Sequence, residues 1–241
     1  MTMYDVIGAV ELTMSAAILV AALSVLAGHD TAQRLRYSAI LTGWFVIVVI
    51  LAATGALGNA HGVGAPGLGV AVAAPIALMC VSLMSAPSLR TALDRADPSI
   101  LAVLHIVRVL GVSFLILWAS DRLPAPFAPV AGWGDILAGL AAMPVAWAVY
   151  RQARGWQTAL LAWNVFGMVD LIAAVSLGVL SSPGPLRRIF AEPGAGLMST
   201  LPWLLIPGFL VPLLFMLHLV IFYRLIKGAR VRLPRGNAVG V

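Results

Sequence analysis

Charge is scarce in this chain. Fifteen basic and nine acidic side chains make up 10% of 241 residues, while 61% are hydrophobic and the mean hydropathy is +1.01. Soluble domains carry about 25% charged and about 45–50% apolar residues. A chain this poor in charge cannot cover a water-facing surface, so lipid is the solvent it requires. Cysteine is nearly absent too. Cys80 stands alone inside an apolar run, which excludes an intramolecular disulfide and any cysteine-based zinc or iron–sulfur site. It reads as a small packing residue. There is one lysine, Lys227, and it lies at the end of the last apolar run, so a retinal held on a mid-span lysine is excluded. Four histidines are too few for a histidine-box iron site, and no HExxH, Walker A or GxSxG motif occurs. No metal site is expected, and catalysis, if present, would have to run on carboxylates, arginine and histidine.

What is present is a series of apolar runs. At 1.5 Å per residue, about 20 residues cross a hydrocarbon core of about 30 Å. Candidate spans lie near 5 to 27, 37 to 57, 68 to 86, 98 to 119, 134 to 150, 156 to 180 and 201 to 223. The third and fifth are the weakest, being short or interrupted by Pro75 and Pro144. The sequence therefore predicts an all-α fold, a polytopic transmembrane helical bundle of about seven helices over 1–228. A basic, flexible cytoplasmic tail over 229–241 follows. No basic region precedes the first run, so that run is expected to remain as a span and not be removed as a leader.

The net charge of +6 is topological. Arg34 and Arg36 follow the first run, Arg90 and Arg95 the third, Arg151 and Arg154 the fifth, and Arg224, Lys227, Arg230, Arg232 and Arg235 close the chain. These are alternate connections, whereas Gly58 to Gly67 carries no acid, lysine or arginine and Asp121 balances Arg122. Arg187 and Arg188 vote the other way but are outweighed. Positive charge marks the cytoplasmic side, so the N-terminus is expected outside and the C-terminus inside. The basic residues form no face interleaved with aromatics, so nucleic acid is not an expected partner. Trp118, Trp133, Trp147, Trp156, Trp203, Tyr4, Tyr37, Tyr150 and Tyr223 fall near span ends and are expected to anchor there. The connections near 120 to 133 and 181 to 200 are rich in proline and glycine and are expected to lie on the membrane surface.

An ionisable group in the hydrocarbon costs from about 2.5 kcal/mol upward and must be paired, neutral or wet. The inventory is short: Glu11 in the first span, His105 and Arg108 in the fourth, Asp135 at the start of the fifth, Asn164 and Asp170 in the sixth and His218 in the seventh. Counting residues places Arg108 and Asp170 near mid-membrane, with Glu11 and Asp135 nearer the outer face. Arg108 is expected to be held by Asp170 and shared with Glu11, because a guanidinium keeps its charge and bridges two carboxylates. His105, His218 and Asn164 share a layer in the cytoplasmic third. Core histidines hydrogen-bonded to Asn164 or to a carbonyl are the preferred reading, so no cofactor is expected; axial ligation of haem by His105 and His218 is the lesser one.

Gly132-Trp-Gly-Asp135, Trp163-Asn164-x-x-Gly167-x-x-Asp170-Leu171, and Leu210-Val-Pro212 followed by Leu217-His218 together resemble a family of bacterial multipass membrane proteins. The resemblance covers roughly the second half of the chain and implies a helical membrane fold, with no activity attached. With the arginine-over-lysine and alanine–glycine bias, it suggests the bacterial cytoplasmic membrane. Three functions follow from the residues. The first is binding or transport of a small hydrophobic or amphipathic molecule at the Glu11, Arg108, Asp170 layer. The second is an enzyme using Asp170, Glu11 or Asp135 as acid or base on a lipophilic substrate. The third is an accessory subunit in which the ion pair fixes packing.

Overall fold

A computed structural model describes residues 2–58, 65–85 and 87–232 of the chain. They fold as α1 (Met3–Ala27), α2 (Thr31–Ala53), α3 (Ala65–Ser85), α4 (Pro87–Arg95), α5 (Pro98–Val103), α6 (Val112–Ala119), α7 (Phe127–Tyr150), α8 (Trp156–Ser181) and α9 (Val211–Arg232). A 3-10 segment, Leu104–Gly111, joins α5 to α6, and a π-helical turn, Ile206–Leu210, leads into α9. No strand occurs among the described residues. Six helical stretches are long and apolar enough to cross a membrane, and α3 adds a shorter apolar stretch, Pro66–Ser82.

Local chemistry sets the helix starts. Thr2 and Asp5 form a reciprocal capping box on α1, Asp30 accepts from the Gln33 amide to open α2, and Asp97 accepts from the Ser99 amide with Pro98 in the first turn of α5. Pro75 and Pro144 are carried inside α3 and α7, as membrane helices permit when neighbouring groups satisfy the freed carbonyl.

Several expected boundaries move. α2 begins at Thr31, six residues before the expected start at 37, so Arg34, Arg36 and Tyr37 are helical. α7 begins at Phe127, which converts much of the expected 120 to 133 connection into helix and puts Asp135 two turns inside. Pro129 allows this because its missing amide hydrogen falls in the first turn, where no intrahelical acceptor exists. α9 runs to Arg232, so the first residues of the expected flexible tail are helical; 233–241 lie outside the described residues, as do 59–64 of the uncharged Gly58 to Gly67 connection. α4, expected as a connection, is a separate helix carrying Arg90, Asp94 and Arg95.

Ion pairs and charged hydrogen bonds close both ends of the bundle. At one end Arg95 reaches His29 at 3.0 Å, and Lys227 reaches Asp94 at 2.6 Å. At the other, Arg122 and Trp203 both donate to Asp5 Oδ1, at 2.8 and 3.0 Å. Trp203, expected as an interface anchor, is instead buried at 2% exposure, because the Asp5 carboxylate takes its indole N–H. Trp118, Trp133, Trp147, Tyr150 and Tyr223 are exposed. Cys80 is also exposed rather than packed.

The interior is closed by Leu19, Leu117, Leu160, Leu204, Phe209 and Ile221. Outside, large apolar side chains such as Ile7, Ile47, Leu78, Leu140 and Ile172 are exposed, an inverted polarity that a water-facing surface does not sustain. α2 buries only Val48 and Ala52 and stands at the edge of the bundle.

Candidate functional site

The polar centre begins with a change of helix pitch. In a 3-10 helix residues three apart lie directly above one another, so His105, Arg108 and Gly111 form one straight stripe, and all three are buried. An α-helix would rotate each by 60° from the last. This stripe faces α7, α8 and α9.

Arg108 donates its Nε hydrogen to Asp135 Oδ1 at 2.7 Å and an NH2 hydrogen to Asp170 Oδ2. Its remaining edge meets the Gly167 carbonyl at 3.3 Å and His218 Nε2 at 3.1 Å. Asn164 settles the proton on His218. Its Nδ2 donates to the His218 carbonyl at 3.2 Å, which turns Oδ1 toward His218 Nδ1 at 2.8 Å. Nδ1 therefore carries the hydrogen, and Nε2 is the lone-pair acceptor for Arg108. Three helices, α7, α8 and α9, are thereby tied to one guanidinium.

Glycine makes the approach possible. A Cβ on Gly167 would sit 2.5 Å from the His218 ring and 2.9 Å from Arg108 NH1. The Trp163 indole donates to the Ala138 carbonyl at 2.9 Å and joins α8 to α7 beside the same layer.

The structure thus brings Arg108, Asp170, Asn164 and His218 together and adds Asp135, which depth counting places nearer the outer face. Glu11 is not part of it. Its carboxylate accepts from Ser113 of α6, while the Arg108 donors are taken up by the two aspartates, His218 and Gly167. His105 departs from expectation in another way: it is fully buried, stacked at 4.0 Å on the His218 ring and edge-on to Trp163 at 5.1 Å, and neither of its nitrogens has a hydrogen-bond partner among the described residues. Rings at 4.0 Å leave no room for a porphyrin between them, and both His218 nitrogens are engaged, so the pair does not fit axial haem ligation.

A large cavity lies elsewhere. A cleft of about 1000 Å³ runs between α1, α2, α3, α4 and α9 and is overwhelmingly apolar, with Leu23, Trp44, Leu78, Leu89, Met216 and Val220 in its walls. None of the Arg108 group lines it. Its polar end is made by Gln33, Arg36 and Tyr37, one face of the first turns of α2, and the same face continues as Ile40, Trp44, Ile47 and Leu51. From Gln33 to Leu51 that face is about 27 Å long at 1.5 Å per residue. A start of α2 at 37 hides this site from the sequence; carrying the 3.6-residue period back to the Asp30 cap places Gln33 and Arg36 on the apolar face.

Residues 65–226 match a family model described as a domain of unknown function (DUF8737). No curated protein and no solved structure matches the chain. The matched stretch contains the entire Arg108 network and the α3, α4 and α9 walls of the cleft, whereas Glu11 and the α2 face precede it.

Proposed function

For a chain that belongs to the family of the domain of unknown function DUF8737, we propose the function of a lipid-binding multipass protein of the bacterial cytoplasmic membrane. The observation that carries this is the cleft of about 1000 Å³, apolar along its length and polar at one end. That is the polarity profile of an amphipathic lipid, and the volume is at the upper end of the range for ligand pockets, about 300–1,000 Å³. The cleft forms between the α1–α2 hairpin and the matched domain, where a lightly packed boundary leaves room for a chain. The topology is seven spans in one bundle, with the N-terminus outside. Support comes from the helix ends carrying Arg34, Arg36, Arg95, Arg151, Arg224 and Lys227, which alternate with those carrying Arg122, Arg187 and Arg188.

The Arg108 network serves this reading as a fastening between helices. Its carboxylates point at the guanidinium and Glu11 at Ser113, and none of them lines the cleft, so binding is favoured over carboxylate catalysis. The test is native mass spectrometry of the full chain extracted from membranes in mild detergent. Co-purifying lipid is expected on the wild type and is expected to be lost from Ala71→Trp, which fills the cleft wall. Equal retention by both proteins would remove the proposal.

A further inference from the structure

We propose that the polar end of the cleft is a subsite for the phosphate of a net-anionic membrane phospholipid, with Arg36 as its counter-charge. The inference rests on the lipid-binding reading of the cleft and names what selects among lipids.

Arg36 differs from its basic neighbours. Arg34 donates to the Gly28 carbonyl at 3.2 Å, Arg95 to His29, Lys227 to the Asp94 carboxylate and Arg224 to the Asp94 carbonyl. Arg36 lines the cleft and makes no ion pair or hydrogen bond among the described residues, and the same holds for the Tyr37 hydroxyl. Gln33 uses its Oε1 to accept from the His29 amide at 3.2 Å, which leaves its amide hydrogens free to donate. Positions i, i+3 and i+4 of a helix share one face. Three donors with no intramolecular acceptor therefore converge on the cleft end, one of them a permanent cation.

A guanidinium offers parallel N–H groups that match two phosphate oxygens. The occupant is a lipid rather than free phosphate because the donors continue without a break into the apolar face of α2. Net charge is selected as well. Among the described residues no acidic side chain lines the cleft, so a headgroup ammonium finds no partner there, whereas a headgroup whose only charge is the phosphate is fully matched.

The experiment uses the full chain reconstituted in bilayers of equal phosphatidylglycerol and phosphatidylethanolamine, with bound lipid read by native mass spectrometry. The wild type is expected to enrich phosphatidylglycerol about fivefold, the size of one arginine at an anionic membrane surface. Arg36→Gln is expected to bind the same total lipid with the enrichment gone, and Arg36→Lys to keep part of it. Enrichment unchanged in Arg36→Gln, no enrichment in the wild type, or displacement of the lipid by excess inorganic phosphate would each overturn the subsite. Absence of bound lipid in the wild type, or undiminished lipid in both Ala71→Trp and Leu41→Trp, would instead overturn the cleft reading beneath it.

Discussion

Gly134 of α7 lies so close to the Asp170 carboxylate of α8 that a Cβ on the glycine would overlap Oδ1. The ion pair and the α7–α8 packing are thus one feature. Gly134→Ala is expected to push Asp170 off Arg108 and cost about 3 kcal/mol, combining overpacking with a broken buried pair. Gly43→Ala on α2, where a Cβ meets nothing within 4 Å, is the control. Thermal unfolding in detergent should separate the two variants, and equal midpoints would show that the contact carries no strain.

The Arg108 network has one cation against two carboxylates. Arg108→Met leaves both aspartates buried without a counter-charge and is expected to cost about 3–5 kcal/mol. Replacing all three charges, Arg108→Met with Asp135→Asn and Asp170→Asn, is expected to recover much of that loss, because an uncharged core is often as stable as a paired one. A triple variant no more stable than Arg108→Met alone would argue that charge compensation is not what the network supplies.

Legibility in the sequence followed from geometry. Arg108 and Asp170 could be matched because a helix converts residue number into depth at 1.5 Å per step. The same conversion misplaces Asp135, because a start at 134 puts it in the first turn whereas the proline-containing first turn of α7 begins at Phe127. Depth alone pairs Glu11 with Arg108, and depth says nothing about which face a side chain occupies; its neighbour is Ser113. The 3-10 segment that aligns His105 with Arg108 leaves no compositional signal. The cleft is not legible for another reason. Its walls join four successive helices, α1 to α4, to the distant α9, and a start of α2 at 37 leaves its polar end in a connection.

Asn164 is expected to act through His218. Removing its acceptor with Asn164→Leu leaves the His218 Nδ1 hydrogen buried without a partner, at a cost of about 1–3 kcal/mol. The same loss should be much smaller when His218 is already Phe, because the group needing the acceptor is gone. A double-mutant cycle with Asn164→Leu and His218→Phe is expected to show coupling of about 0.5–3 kcal/mol. Additive losses would detach Asn164 from the histidine.

Acid is expected to loosen α4. The Lys227 ammonium, with the Tyr223 hydroxyl at 2.9 Å, holds the Asp94 carboxyl below the ordinary carboxylate range. A carboxyl lowered on folding stabilises the folded form at all pH above its unfolded value, about 4, and that contribution is lost as pH falls through the lowered folded value. The pair is solvent-exposed, so its effect is local and weakened by salt. Hydrogen exchange of α4 compared between wild type and Asp94→Asn at each pH cancels the intrinsic pH dependence of exchange. Wild type should exchange more slowly at neutral pH and match the variant in strong acid. A difference that persists unchanged into acid would mean that ionisation of Asp94 is not what slows the exchange, and equal exchange at every pH would mean that α4 is held on α9 without the carboxylate, by the Arg224 bond to the Asp94 carbonyl and by apolar contacts.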